Sequence, residues 1–389
     1  MRPPLGFRFG AVSAHIRKDG RIDLALAVSD DDAVAAGVFT RNLVRAAPVV
    51  VAEERLRSGV ARAVLVNAGC ANACTGDAGL RATLASTESV AQALGVASES
   101  VLPASTGVIG AVLPSEKIAS AAEALVGSLS VDGVDGFSRA ILTTDRGPKL
   151  ARAELPGGAS VLGVAKGAGM IHPDLGPPQA TMLAFLFTDA RVDPKALAGV
   201  LDRACQVTFN AASVDGDTST NDSVIALASG KSGASVSEAE LEAAFTRVAG
   251  ELARAMVADG EGANHVCELV IEGLGSDADA RNVARTVATS LLVKTALFGK
   301  DANWGRLLAA AGRAGVKFDP NVAEISVGPV AIVRGGVAVG GEAEREAAKI
   351  LAGASYTITL RLGSGPGRAR YLTSDLGHSY VDVNAGYRS

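Results

Sequence analysis

Cysteine is scarce. Cys70, Cys74, Cys205 and Cys267 are the only thiols among 389 residues, and their spacing fits neither a zinc site nor a disulfide framework. So few in a chain of this size suit a reducing cytosol. The four histidines are scattered and form no zinc pair. Lysine and arginine make no run, and a net charge of −4 argues against a nucleic-acid partner. No uninterrupted apolar run approaches the length of a membrane-spanning helix. The opening Met1-Arg-Pro-Pro-Leu-Gly6 lacks the apolar core of a signal peptide. Together these absences predict a soluble, cytoplasmic protein with no bound metal.

Familiar catalytic motifs are missing too. Gly230-Lys231-Ser232 ends like a phosphate loop, but Ile225 stands where its first glycine belongs. Gly167 and Gly169 lack the third glycine of a dinucleotide fingerprint, because His172 takes that place. No Gly-x-Ser-x-Gly elbow is present. Asp215 and Asp217 begin like a calcium loop, yet Thr220 replaces its glycine and Ala226 its closing glutamate. His172, beside Pro173, reads as an ordinary surface-loop residue.

What remains is apolar and small. Nearly half of the residues are apolar, aromatics are few, and glycine and alanine abound, which suits close-packed α/β layers. The length admits two domains or one large body, and no repeat or low-complexity linker marks a boundary. Residues 23–28, 38–40 and 63–67 read as strands. The helix after residue 76 is expected to turn Leu80, Leu84, Thr87, Ala91 and Leu94 inward. Asp193 is an N-cap before Pro194. Ser237 and Glu240 form a capping box for a helix with Leu241, Phe245, Val248, Leu252 and Met256 on one stripe. One helix is expected over residues 283–297. Ile325, Val327, Val330, Tyr356, Ile358 and Leu360 alternate as half-buried strands around a helix over residues 342–351.

One stretch combines three physical elements. Lys166-Gly-Ala-Gly169 is a flexible turn, residues 173–179 form a proline-stiffened loop, and residues 182–187 are an apolar run that reads as a buried strand. Thr181 stands at the head of that strand. A threonine there is ordinarily just a β-former. It becomes a nucleophile only if the Ala180–Thr181 bond is cut, since the new α-amine then serves as base for the neighbouring hydroxyl.

Lys166-Gly-Ala-Gly-Met-Ile-His-Pro173 with Ala180-Thr-Met-Leu183 resembles the self-cleavage segment of the ornithine acetyltransferase family of arginine biosynthesis. So do Gly37-Val-Phe-Thr-Arg-Asn42, the small-residue run over 67–76, Ser105-Thr-Gly-Val-Ile-Gly110 and Thr143-Thr-Asp145. The match continues through Val214-Asp-Gly-Asp-Thr-Ser-Thr-Asn-Asp222, Asp259-Gly-Glu-Gly262, Asn303-Trp-Gly-Arg306 and Asn384-Ala-Gly-Tyr-Arg-Ser389. Any one block is weak; in this order, across essentially the whole chain, they are specific.

The resemblance implies an α/β layered sandwich with helices flanking two central sheets, of the N-terminal-nucleophile type. It implies a precursor cut between Ala180 and Thr181 into chains of residues 1–180 and 181–389, which stay associated and pair into a heterotetramer. It further implies ping-pong transfer of acetyl from N2-acetylornithine to glutamate through Thr181, with no bound cofactor; acetyl-CoA is a second donor in some members. Family position assigns an oxyanion hole to the Thr106 hydroxyl and the Gly107 amide. Substrate contacts fall on Thr143, Lys166, Thr181, Glu261, Asn384 and Ser389, with Thr144 an alternative to Thr143. Lys166 suits a carboxylate and Glu261 an ammonium.

One departure stands out. The family usually runs from its proline to Ala-Thr with two residues between, whereas this chain inserts Gly176-Pro-Pro-Gln179, and Asp174 replaces the usual asparagine. Two rival readings stay open: an N-terminal-threonine or -serine aminopeptidase or amidase, in which water accepts the acyl group, and an uncleaved binding protein for acetylated amino acids.

Overall fold

The apolar run after Thr181 forms a strand, Leu183–Thr188, buried on both faces. Ala184 and Leu186 pack to one side, and Leu183, Phe185 and Phe187 to the other. That is why the run shows no polar alternation. The computed structural model describes residues 1–176 and 182–386. Thr181, Ala180, Ser389 and most of the inserted loop therefore lie outside the described residues.

Among the described residues the first sheet has nine strands, ordered Val101–Val108, Val60–Cys70, Leu24–Thr40, Ser223–Ala228, Leu183–Thr188, Ser160–Lys166 and Lys149–Glu154. Phe7–Val12 and the short Leu175–Gly176 both pair with Leu24–Thr40. That long strand runs through both halves of the sheet, with a register shift between Val28 and Ala33. The halves share one interior. Ala25, Ala27, Val64 and Val66 meet Leu162, Phe185, Phe187 and Ile225 there, and Phe9, Phe137 and Phe187 stack edge to face. Outside, helices Gly76–Leu94 and Ser115–Gly127 cover Leu24, Leu26 and Leu65. Helices Pro194–Val207 and Glu238–Ala258 cover Ala184, Leu186 and Val224. The sheet is thus doubled over between two helical layers. Burying each large apolar side chain contributes about 1.5–3 kcal/mol, so this interior dominates the fold's stability.

The second sheet has, among the described residues, seven strands, ordered Val337–Ala338, Val330–Arg334, Glu324–Val327, Ser355–Arg361, Val266–Gly273, Gly365–Ser374 and Ala212–Ser213. Cys267, Leu269 and Ile271 face helices Asp277–Ala288 and Trp304–Gly312. Their neighbours Glu268 and Glu272 pair with Arg370, Arg361 and Arg368 instead. Helix Glu238–Ala258 contacts both sheets.

The expected α/β architecture with two mixed sheets is observed, and both expected caps are present: the Asp193 side chain accepts from Lys195 N, and Ser237 and Glu240 cap reciprocally. Two local expectations are corrected. Helix Gly76–Leu94 buries Thr87 and Ala91 as expected, together with Ala82, Thr83, Ser86 and Val90, while Leu80 and Leu84 are exposed. Small side chains let the helix approach its neighbours closely, so the apolar stripe misreports its inner face. The expected helix over 283–297 is two helices, Asp277–Ala288 and Leu291–Phe298. The chain turns at Ser290, whose extended backbone precedes the second helix. The residues on either side of position 180 are interleaved: Ser160–Lys166 pairs with Leu183–Thr188, Lys166 lying opposite Leu183.

Candidate active site

Lys166 ends its strand as a buried cation. Its Nζ donates to Thr143 Oγ1 at 2.7 Å and to Thr106 Oγ1 at 3.3 Å, and lies 3.7 Å from Asp145 Oδ2. Both hydroxyls accept from Lys166, so each keeps its own proton to donate elsewhere. Asp145 anchors the arrangement. Its carboxylate also accepts from Lys149 Nζ at 2.7 Å, Gly167 N at 2.6 Å and Thr143 N at 3.1 Å. Burial pushes this carboxyl up, but Lys166, Lys149 and the hydrogen bonds outweigh it and hold the group well below the usual carboxylate range. Lys149 in turn bridges to Asp259 at 2.6 Å.

Gly107 follows Thr106 on strand Val101–Val108 and lies opposite Gly69 of the neighbouring strand. It adopts φ +130°, and a Cβ there would sit 2.3 Å from the Gly69 carbonyl carbon. Only glycine allows both the conformation and the approach. Asn221 ties the two halves of the sheet together here, donating to Ala71 O at 2.6 Å and Ser105 O at 2.9 Å.

Glu261 accepts from Asn384 Nδ2 at 2.9 Å. Asn384 belongs to the terminal helix His378–Gly386, which packs so near Gly262 that a Cβ there would lie 2.4 Å from Tyr380 N. Asp215 braces the Gly167–Met170 turn by accepting from Met170 N at 2.6 Å and Ile171 N at 2.8 Å. Met170 has φ +55°, a conformation uncommon for a side-chain-bearing residue. Burial raises the Asp215 carboxyl to about 6 against those backbone donors.

Thr106, Gly107, Thr143, Lys166, Glu261 and Asn384 line one cavity of about 170 Å³, with Thr144, Asp215, Asp217 and Tyr380 beside them. It is small next to the roughly 300–1,000 Å³ of pockets for drug-sized ligands. Among the described residues one ammonium and several carboxylates face it, which suits a small molecule bearing both charges. Of the sequence-derived site residues, Thr181, Ala180 and Ser389 lie outside the described residues. Met182, bonded to Thr181, is fully buried, and its carbonyl accepts from Ser223 N at 2.7 Å.

His172 is corrected. It is buried rather than on the surface, with Nδ1 3.3 Å from the Tyr371 hydroxyl, and it lines a second cavity with Arg281 and Arg285. Burial lowers its basicity. Asp145, Asp215 and Tyr380 receive no site role from the sequence. The density of polar residues over 214–222 was the available signal for Asp215; nothing marked Tyr380.

The model of the ArgJ family matches residues 8–389. The chain is 48% identical over 393 residues to the arginine biosynthesis bifunctional protein ArgJ of Geobacter sulfurreducens, covering 99% of each. It is 47% identical to the protein of the same name from Nitratidesulfovibrio vulgaris, again covering 99% of each. A crystal structure of the arginine biosynthesis bifunctional protein ArgJ from Bacillus halodurans superposes with a TM-score of 0.52 at 36% identity, covering 53% of this chain and 100% of that one. The chain belongs to the ArgJ family.

Proposed function

We propose that this chain is a self-processing N-terminal-threonine acyltransferase that moves acetyl from N2-acetylornithine to glutamate in arginine biosynthesis. The carrying observation is the Lys166–Thr106–Thr143 cluster, which stands at the strand end opposite Leu183, two residues past Thr181, on a cavity also lined by Glu261 and Asn384.

In the precursor, the Thr181 hydroxyl attacks the Ala180 carbonyl; the C–N bond breaks and the resulting ester is hydrolysed by water. The released α-amine, with a reference pKa of about 7.7–8.0, is neutral in useful fraction near neutral pH and serves as base. Thr181 then attacks the acetyl-donor amide, ornithine leaves, and glutamate takes the acetyl group from the threonine ester. Thr106 and Gly107 stabilise the tetrahedral oxyanion, a contribution of about 2.7–4 kcal/mol per donor. Lys166 and Thr143 face the substrate carboxylate, and Glu261, steadied by Asn384, the ornithine ammonium; Ser389 completes the substrate site. No bound cofactor takes part, and acetyl-CoA serves as an alternative donor. Residues 1–180 and 181–389 stay together through their shared sheet and pair as a heterotetramer in the cytoplasm.

Intact-mass spectrometry under denaturing conditions, on the wild type beside Thr181→Ala, tests this reading. We expect two chains meeting at Ala180/Thr181 in the wild type alone. Acetylornithine without glutamate should then leave acetyl on the second chain, and glutamate should discharge it. A single full-length mass in both proteins defeats the mechanism. Acetylornithine hydrolysis indifferent to glutamate defeats the acceptor and favours an amidase.

A further inference from the structure

The second cavity measures about 230 Å³ and, among the described residues, shares no lining residue with the Lys166 cavity. Its charge is one-sided. Arg281 and Arg285 both line it, one turn apart on helix Asp277–Ala288. Like charges at that spacing repel, so the pair costs the helix stability. Neither guanidinium has a carboxylate or hydrogen-bond partner among the described residues. The nearby acids are engaged elsewhere. Asp277, a turn before Arg281, accepts from the Arg368 backbone N–H at 2.8 Å. Asp174, which also lines the cavity, pairs with Arg41 at 3.5 Å.

Two buried polar side chains, His172 and Tyr371, line the same space. The Tyr371 hydroxyl lies 3.3 Å from His172 Nδ1. Burial favours the neutral imidazole, and the Arg285 charge acts in the same direction. With Nδ1 accepting from Tyr371, the ring's one proton sits on Nε2, which then has a hydrogen to donate. A cavity with two unpaired guanidiniums and a buried neutral donor is built for negative charge. Arginine's planar fork matches the paired oxygens of a carboxylate or phosphate.

We infer that this cavity is a second binding site, taking a small dianion (a phosphate group or a dicarboxylate) on Arg281 and Arg285 with His172 as a neutral donor. One dianion offsets the repulsion between the two guanidiniums, which a single positive side chain would not require. The site stands apart from the acetyl-transfer reading and from cleavage before Thr181. It is nonetheless close in the chain to the first cavity, since His172 lines one and Met170 the other.

The test is isothermal titration calorimetry of the purified wild-type protein with inorganic phosphate and, separately, with succinate, at constant ionic strength. The Arg281→Gln/Arg285→Gln double variant is titrated beside it. Glutamine keeps helix propensity while removing both charges. We expect at least one probe to bind saturably, with half-saturation at about 1 mM or tighter. The double variant should bind it at least about tenfold more weakly, the low end for hydrogen bonds to a charged group. Which probe binds distinguishes a phosphate from a dicarboxylate ligand. Without anion, the Tm of the variant should equal or exceed that of the wild type, because the like-charge repulsion is gone. Should the double variant prove unstable, each single variant is titrated instead and should lose part of the affinity. Absence of saturable binding of either probe up to about 10 mM overturns the inference. Binding that persists unchanged in the variants overturns it too, since the anion then sits elsewhere.

Discussion

Lys166 Nζ lies 2.7 Å from Thr143 Oγ1 and 3.3 Å from Thr106 Oγ1, so one ammonium orders two hydroxyls from separate segments of the chain. Replacing it by methionine keeps length and apolar bulk, and Asp145 retains Lys149 as its partner. Stability should therefore fall less than function does. Hydrogen bonds involving a charged group are worth about 1.5–3 kcal/mol, and on the proposed mechanism Lys166→Met lowers kcat/KM for glutamate by about 10- to 150-fold. Steady-state kinetics of the cleaved variant check this; a loss under threefold would remove Lys166 from the substrate site.

Glu261 supplies the complementary test. Glu261→Gln preserves shape and a carbonyl oxygen for Asn384 while deleting the charge. We expect KM for acetylornithine to rise about 10- to 150-fold, the same charged-bond range, with KM for glutamate much less affected. Equal effects on both substrates would show that Glu261 does not read the ornithine ammonium.

Gly107 has no room for a side chain. Alanine there would meet the Gly69 backbone at 2.3 Å while holding φ near +130°. The backbone strain alone costs about 1–3 kcal/mol, and the clash must also push the two paired strands apart. Thermal melts should show a lowered Tm for Gly107→Ala, and transfer activity should fall further than that loss of stability explains, because the amide would be displaced. Unchanged Tm and activity together would contradict the geometry.

How much of this was legible in the sequence differs from feature to feature. Local chemistry wrote the Asp193 cap and the Ser237–Glu240 capping box, and both are present. Periodicity failed where size mattered more than hydropathy, as when Leu80 and Leu84 turned outward so that Ala82 and Ser86 could pack. It also ran through the break at Ser290, where the hydrophobic pattern continues although the helix does not. The site residues were named by resemblance. That Thr106, Thr143, Lys166, Glu261 and Asn384 share a cavity depends on strand register and on a doubled sheet, which no spacing in the chain encodes. Asp145 and Asp215 act through backbone N–H groups and lysines brought from elsewhere, so their importance appears only once those partners are in place.

Asp145 carries the clearest dependence on pH. Its folded carboxyl is held below the ordinary value, so the stability it contributes is fully present above the unfolded pKa of about 3.9 and is lost only as pH falls through the lower folded value. Asp145→Asn removes the charge between two buried lysines, and breaking such a pair costs about 3–5 kcal/mol. Urea unfolding at neutral pH should show a deficit of that size. Below about pH 4 the wild type progressively loses the same contribution, so the two proteins should converge on acidification. A gap that stays constant from neutral pH down to strong acid would mean that packing, rather than the ionised carboxylate, accounts for the effect of Asp145.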